Sequence, residues 1–442
     1  MSKNLKSLVI VALKGFIFVF LAAVFFYLFG KENIALQNWS RTAVITGSTF
    51  ILIGILMLKV YGPFEIGVKK SKPIIYNSTI AIMLTDLATF FQLMVMNTNP
   101  NNNQSFKIEQ LDLLFYTILI QIIGIVIFSY LGNYIYFKMY KPSRTIIVYD
   151  ENDQVSLGKV KHYLERFKLQ YDILGCIAVD DPNLEAMLYN VDYVVILETP
   201  ISERKRLVDL CYKHQLNFMF APSISDIVEL SGFSMVVDDK AMVEVNIQGL
   251  SFEQRVLKRI LDIFVAVVGA ILSSPIWIIA AIAIKLNDGG SILFKQKRAT
   301  IDGRIFDVYK FRTMKENVEN YSATEHDDRI TSVGKVLRKI RMDELPQLIN
   351  ILKGEMSIVG PRPEMLENVD SYQKVLPEFA YRLKVKAGLT GLAQIEGKYN
   401  TSPKDKLLMD LMYIENYSIW TDFKLILRTV VVIFKKDSTE GF

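Results

Sequence analysis

Four apolar stretches restrict this chain before anything else does: residues 8–29, 43–60, 74–96 and 113–137, the first interrupted at Lys14-Gly15. Each is about the ~20 residues a helix needs to cross a bilayer. In hydrocarbon every backbone N–H and C=O needs an internal partner, so such segments fold as membrane helices. No small-residue cleavage pattern follows Phe25-Phe26-Tyr27, so the first stretch reads as retained rather than as a signal peptide. Lys3 and Lys6 precede the first stretch, Lys59, Lys69, Lys70 and Lys72 lie between the second and third, and Lys138, Lys141 and Arg144 follow the fourth. The other two loops are poorer in positive charge, and one holds Asn99-Pro100-Asn101-Asn102-Asn103. Basic loops stay in the cytoplasm, so residues 1–143 are expected to form a four-helix transmembrane bundle with both ends inside. Asp86 is the one acidic residue within these stretches, and it suggests either a functional group or an interhelical hydrogen bond.

Composition agrees, at 51% hydrophobic residues and a mean hydropathy of +0.25, high for a soluble protein. The net charge of +5 gathers beside the apolar stretches and in the last third. That suits a membrane surface or a phosphorylated substrate rather than nucleic acid. Cys176 and Cys211 imply no disulfide framework, and His162, His214 and His326 are too scattered for zinc.

From 144 to 249 the texture is soluble α/β. Strands are expected over 145–149, 171–177 and 191–197, with helices over 157–167 and 204–214. That alternation predicts a small doubly wound domain. Its first strand runs into Asp150-Glu151-Asn152-Asp153, where a dinucleotide turn needs glycines. A pyrophosphate would meet carboxylates there, so a regulatory or structural role is expected, without NAD.

Residues 263–284 are again apolar, but Arg255, Lys258 and Arg259 flank one side and Lys285, Lys295, Lys297 and Arg298 the other. A span would put one cluster outside, against the charge rule. Ser273-Ser274-Pro275 sits in mid-run, where Pro275 removes a helix hydrogen bond and a serine hydroxyl can satisfy the freed carbonyl. A Pro-kinked span also fits. The expectation is a re-entrant helix over 258–286, broken at Ser274-Pro275. Near the end, residues 423–434 are apolar but too short to cross, and suit either the membrane interface or packing on the core.

The chemistry gathers at Arg341-Met342-Asp343-Glu344-Leu345-Pro346-Gln347. Pro346 suits a first helical turn, and Leu345, Leu348, Ile349 and Leu352 mark an apolar stripe up to Lys353-Gly354. The adjacent carboxylates Asp343 and Glu344 are therefore expected at a helix N-terminus. Arg338 and Arg341 lie upstream, and Arg362 follows between prolines. Lys310 and Arg312 stand in Lys310-Phe311-Arg312-Thr313-Met314, which also reads as a solvated strand face. Carboxylates, arginines and a helix start suit phosphoryl chemistry. Taken alone, the pair reads as readily as a helix cap with surface ion pairs.

The order of motifs resolves that ambiguity. Lys258-Arg259-x-x-Asp262, Ser274-Pro275, the 310–314 run, Asp328-Arg329-Ile330-Thr331, Asp343-Glu344-Leu345-Pro346-Gln347, Gly360-Pro361-Arg362-Pro363 and Gly388-Leu389-Thr390-Gly391-Leu392 follow one another. This resembles the bacterial sugar transferase family, the monotopic phosphoglycosyl transferases, from about Leu250 onward. The upstream part resembles the long members, with a four-helix bundle and a degenerate nucleotide-fold domain. The chain departs from the family pattern at Arg341-Met342 (usually Ser-Leu), Thr300 (usually Gly) and Ala387 (usually Pro).

The resemblance implies a catalytic domain over 250–442, mainly helical, on the cytoplasmic face of the bacterial inner membrane. A UDP-sugar gives its sugar 1-phosphate to a polyprenyl (undecaprenyl) phosphate, releasing UMP. Asp343 is the implied nucleophile, Glu344 the Mg²⁺ ligand and Arg362 a phosphate partner. Lys310, Arg312, Arg338 and Arg341 complete the expected phosphate-binding set. The product would start capsule, exopolysaccharide or O-antigen assembly, and the bundle beside a soluble domain allows a homodimer. Two other classes stand beside this one. A membrane scaffold without turnover is favoured by Arg341-Met342 and opposed by the intact acidic pair. An NAD-dependent sugar-modifying enzyme is opposed by the missing glycines.

Overall fold

The computed structural model describes residues 3–62, 64–97, 107–247, 249–315, 327–398 and 401–433. The asparagine loop at 99–103, His326 and Phe434 lie outside them. The chain divides into two compact units, Met1–Ala221 and Pro222–Phe442.

The first unit opens with α1 (Lys3–Glu32), α2 (Ile34–Gln37), α3 (Arg41–Tyr61), α4 (Ser71–Asn97) and α5 (Leu111–Met139). All but the short α2 are long and apolar enough to cross a membrane. Ser40 starts α3 by accepting a hydrogen bond from the Ala43 N–H at 3.0 Å. Gly62 ends it in the left-handed region (φ 52°) that glycine tolerates. Phe25, Phe29, Phe50 and Phe90 are fully buried at the bundle centre, whereas Leu8, Val11, Phe16 and Val19 face outward. One buried polar side chain links three of the helices. Gln121 Nε2 donates to the Leu21 carbonyl at 2.9 Å and to Asp86 Oδ1 at 3.4 Å, tying α5 to α1 and α4.

The same unit continues with β1 (Ser143–Tyr149), α6 (Gln154–Glu165), β2 (Tyr171–Ala178), α7 (Leu184–Leu188), β3 (Tyr193–Ile196), α8 (Ile201–Lys213) and β4 (Asn217–Phe220). The strands form a parallel sheet in the order β2-β1-β3-β4. Ile146, Ile147 and Val148 are all fully buried, as a parallel strand covered on both faces requires. The acidic turn after β1 is used internally. Asp153 caps α6 by accepting from the Ser156 N–H at 3.2 Å, and Asp150 Oδ1 accepts from the Asn152 N–H at 2.9 Å.

The second unit begins with α9 (Ile224–Leu230), the hairpin β5 (Phe233–Val237) and β6 (Lys240–Glu244), and α10 (Phe252–Asp288). The texture of the sequence groups residues 222–249 with the middle region. The structure gives them to this unit, because Ile227 is buried in its core beside Leu407 and Leu411. Next come the antiparallel pair β7 (Leu293–Ala299) and β8 (Ile305–Phe311), then α11 (Ser332–Lys339), α12 (Gln347–Lys353) and β9 (Ser357–Val359). The chain closes with α13 (Leu366–Val375), β10 (Gly388–Thr390) paired parallel to β9, α14 (Leu392–Glu396), α15 (Pro403–Glu415) and α16 (Ile419–Ile433).

The helix α10 is the frame of this unit. Ser251 and Gln254 close a capping box at its start, and Gly289 ends it in the left-handed region. The break expected at Ser274-Pro275 does not interrupt the helix. Pro275 cannot bond the Ile271 carbonyl, and Ser274 Oγ donates to that same carbonyl at 2.8 Å instead.

Both halves of α10 pack on one unit. In the first half, Lys258 Nζ donates to Asp422 Oδ2 at 2.6 Å and to the Val359 carbonyl at 2.9 Å. Asp262 accepts from Ser357 Oγ and the Ile358 N–H, each at 2.8 Å. Arg259 donates to the Ile351 and Leu352 carbonyls, the free end of α12. In the second half, Ala280 and Ile284 are buried with Phe311 and Leu337. Phe264, Ile271, Leu272, Ile278 and Ile279 remain outside, an uncovered apolar face.

Candidate active site

Three backbone segments converge on the acidic pair. Strand β8 brings Lys310, the loop after β9 brings Arg362, and a 3-10 turn over Met342–Glu344 brings the carboxylates. That turn starts from Arg341, a left-handed residue at φ 53°. The pair was expected on an α-helix N-terminus. It lies one turn ahead of α12, a helix of only seven residues, so side-chain cations rather than a helix dipole control it. The loop after β9 is pinned by close backbone contact. The Gly360 N–H donates to the Thr390 carbonyl at 2.8 Å and the Gly388 N–H to the Pro361 carbonyl at 2.9 Å. A side chain at either glycine would strike the other's strand, which explains glycine in both motifs.

The two carboxylates are held differently. Glu344 Oε1 accepts from Arg362 Nη2 at 2.7 Å and from Lys310 Nζ at 3.1 Å. Its Oε2 has one long bond, from Arg362 Nη1 at 3.4 Å. Among the described residues no group donates a hydrogen bond to Asp343. Burial, then the neighbouring Glu344 charge, raise the Asp343 carboxyl above the usual range; Lys310, Arg338 and Arg362 offset part of this. Burial also pushes Glu344 up, but Arg362 and Lys310 outweigh it and hold that carboxyl well below its usual range. Environments that drive two adjacent acids apart assign them different tasks.

Other expected site residues divide. Arg338 and Arg341 are half-buried beside the pair, and Arg338 Nε is fixed by Thr313 Oγ1 at 2.8 Å. Arg312 is buried on the segment that follows β8. Its guanidinium packs against Gly290 at the end of α10, so close that a side chain at 290 would strike it. Ser274 and Pro275 shape α10 rather than line the pair.

One residue escaped the sequence reading. The buried face of α12 is Gln347, Leu348, Asn350 and Ile351, while Leu352 of the expected stripe is exposed. Asn350 Oδ1 accepts from the Tyr309 N–H at 3.0 Å, and its Nδ2 donates to the Asp307 carbonyl at 2.7 Å. It stitches α12, just after the pair, to the strand carrying Lys310. A polar residue in a short apolar run was its only signal.

An acidic pair ringed by cations, on a unit with a long apolar helix, is the equipment of a membrane-associated phosphate-transferring enzyme. Residues 253–436 match the family described as bacterial sugar transferase. The chain is 40% identical over 189 residues to a UDP-glucose:undecaprenyl-phosphate glucose-1-phosphate transferase of Caulobacter vibrioides, covering 41% of this chain and 71% of that protein. It is 41% identical over 183 residues to a UDP-N-acetylgalactosamine-undecaprenyl-phosphate N-acetylgalactosaminephosphotransferase of Aeromonas hydrophila, covering 40% and 43%. A UDP-glucose:undecaprenyl-phosphate glucose-1-phosphate transferase of Xanthomonas campestris is 30% identical over 306 residues, covering 62% and 63%. The latter two are matched over less than two thirds of their length. The chain belongs to the bacterial sugar transferase family and is a phosphoglycosyl transferase.

Proposed function

We propose that the protein transfers a sugar 1-phosphate from a UDP-sugar to a polyprenyl phosphate of the undecaprenyl type. The products are UMP and a polyprenyl-diphosphate sugar, and the step opens assembly of a capsule, exopolysaccharide or O-antigen. The relatives' names support the two substrates. The observation that carries the mechanism is the asymmetry of the pair: Glu344 is clamped, and Asp343 is free of hydrogen bonds among the described residues.

An Asp343 oxygen attacks the phosphorus that bears the sugar. A bond forms from that oxygen to phosphorus, and the bond from phosphorus to the bridging oxygen breaks. UMP leaves with the electron pair. The raised basicity of Asp343 favours this attack. Lys310 and Arg362, held by Glu344, face the charge that moves onto the leaving phosphate. A polyprenyl phosphate oxygen then attacks the same phosphorus and releases the Asp343 carboxylate.

The donor set fits Mg²⁺, which binds through one or two carboxylates and completes its shell with substrate phosphates. Glu344 Oε2, with its single long bond, keeps the acceptor capacity to hold it. When bound, the ion would neutralise charge on the diphosphate.

The packing of both halves of α10 on one unit supports a helix that enters and leaves the membrane by the same face. The active site would then meet the lipid phosphate at headgroup level, on the cytoplasmic side of the inner membrane.

The test is UDP-sugar with Mg²⁺ and no lipid. One UMP per active site should appear, with a hydroxylamine-labile sugar phosphate left on the protein. Asp343→Asn should abolish both signals. If UMP appears only after lipid is added, and Asp343 and Glu344 variants behave alike, the lipid phosphate attacks directly and Asp343 is not the nucleophile.

A further inference from the structure

The loop that carries Arg362 to Glu344 is gripped from behind. Arg382, only 4% exposed, donates from Nη2 to the Arg362 carbonyl at 2.9 Å. Its Nε donates to Asp410 Oδ2 at 3.0 Å, and Asp410 is itself buried on α15. One residue on, Arg298 Nη1 donates to the Pro363 carbonyl at 3.1 Å. One further, the Glu364 carboxylate lies 3.5 Å from Lys406 Nζ and 4.0 Å from Arg382 Nη1. Three consecutive residues are thus each tied to a cation outside the loop. A buried Arg–Asp pair contributes little net stability, because desolvation offsets the attraction. What it supplies is a planar fork of donors in a fixed orientation. Among the described residues neither Arg382 nor Asp410 bonds to Asp343 or Glu344.

We propose that Arg382, oriented by Asp410, is a positioning residue that sets the Arg362 guanidinium against the transferring phosphate. This rests on the role proposed above for Arg362. The loop's prolines stiffen it locally and the Gly360 and Gly388 backbone bonds pin its start; the carbonyl clamp holds it at Arg362 itself. Lysine at 382 keeps the charge and loses the fork, so it should release the Arg362 carbonyl or Asp410.

The test is a double-mutant cycle on the full chain in detergent. It reads single-turnover UMP release from UDP-glucose or UDP-N-acetylgalactosamine, whichever donor the unsubstituted protein turns over. Arg382→Lys should slow release by about 10²-fold, the scale of a displacement near 1 Å. In an Arg362→Ala background the same change should cost less than about threefold, because the group it positions is gone. Asp410→Asn should repeat the pattern. A residue that only supports the fold would slow both backgrounds equally, and that result, or no effect of Arg382→Lys at all, would overturn the proposal. If Arg382→Lys fails to fold, Arg298→Lys runs the same cycle on the Pro363 carbonyl. Should Arg362→Ala itself be silent, the reading of Arg362 falls first. Should Arg362→Ala be slow and the cycle additive, only the positioning role falls.

Discussion

At the scale of single residues, the acidic pair makes a pH prediction. Asp343 must be ionised to attack, and burial together with the Glu344 charge raises its carboxyl. Activity is therefore lost as pH falls through a value above the ordinary aspartate range near ~3.9. Glu344→Gln removes the neighbouring negative charge and leaves Lys310 and Arg362 facing Asp343. Its carboxyl should then titrate lower, and the acid limb of single-turnover UMP release should move to lower pH while the maximum rate falls. An unmoved limb, or one moved to higher pH, would contradict the electrostatic account. The pair, Lys310 and Arg362 were legible in the sequence because each sits in a short motif. Asn350, Arg382 and Asp410 were not, since a buried polar group tied to a distant carbonyl leaves no local pattern. Two departures from the family pattern explain each other. Thr300 Oγ1 accepts from the Ala387 N–H at 3.1 Å and donates to the Glu355 carbonyl at 3.0 Å. Proline at 387 would have no N–H to satisfy, so alanine there creates the donor that threonine at 300 answers.

At the scale of elements, hydrophobic periodicity and length identified the bundle helices and three of the four strands of the parallel sheet, while the short β4 was not read. Periodicity failed on α12, where seven residues give two turns and the buried face is set by Asn350 as much as by leucine. Pro275, not periodicity, suggested a break in α10; the helix runs on through it, and the serine bond that the sequence allowed is made, from Ser274 Oγ to the Ile271 carbonyl. Continuity leaves the membrane path to be decided by what the two ends touch. Lys258 and Asp262 dock the first half, and Ala280 and Ile284 the second, on the same compact unit. Single cysteines at Gln254 and Ser291, in a chain otherwise free of reactive thiols, should both be labelled from the cytoplasmic side only. Labelling from opposite sides would make α10 an ordinary span and remove the headgroup-level site. Arg259 adds a mechanical link, since it holds the last carbonyls of the helix that follows the acidic pair. A shift of α10 in the membrane would therefore be felt at α12.

At the scale of the whole molecule, two compact units imply that the chemistry and the four-helix bundle are separable. The shared 189 residues make up 71% of the Caulobacter relative but 41% of this chain, so that relative carries far less beyond them. Every residue given a chemical role here lies in the second unit. The boundary matters, however. Ile227 on α9 is 3% exposed, packed in the core that also buries Leu407, Leu411 and Phe379. Removing a buried side chain of that size costs on the order of 2–5 kcal/mol, through lost burial and the cavity left behind. Residues 222–442 expressed alone should fold in detergent and release UMP from UDP-sugar with the burst amplitude of the full chain. Residues 250–442, cut where composition alone would place the boundary, should melt at lower temperature because they lack α9, and their burst should shrink with the folded fraction. Comparable melting of the two pieces would mean that α9 contributes nothing to this core. A well-folded 222–442 with no burst would mean that the chemistry needs the first unit, and the separation inferred from the fold would not extend to function.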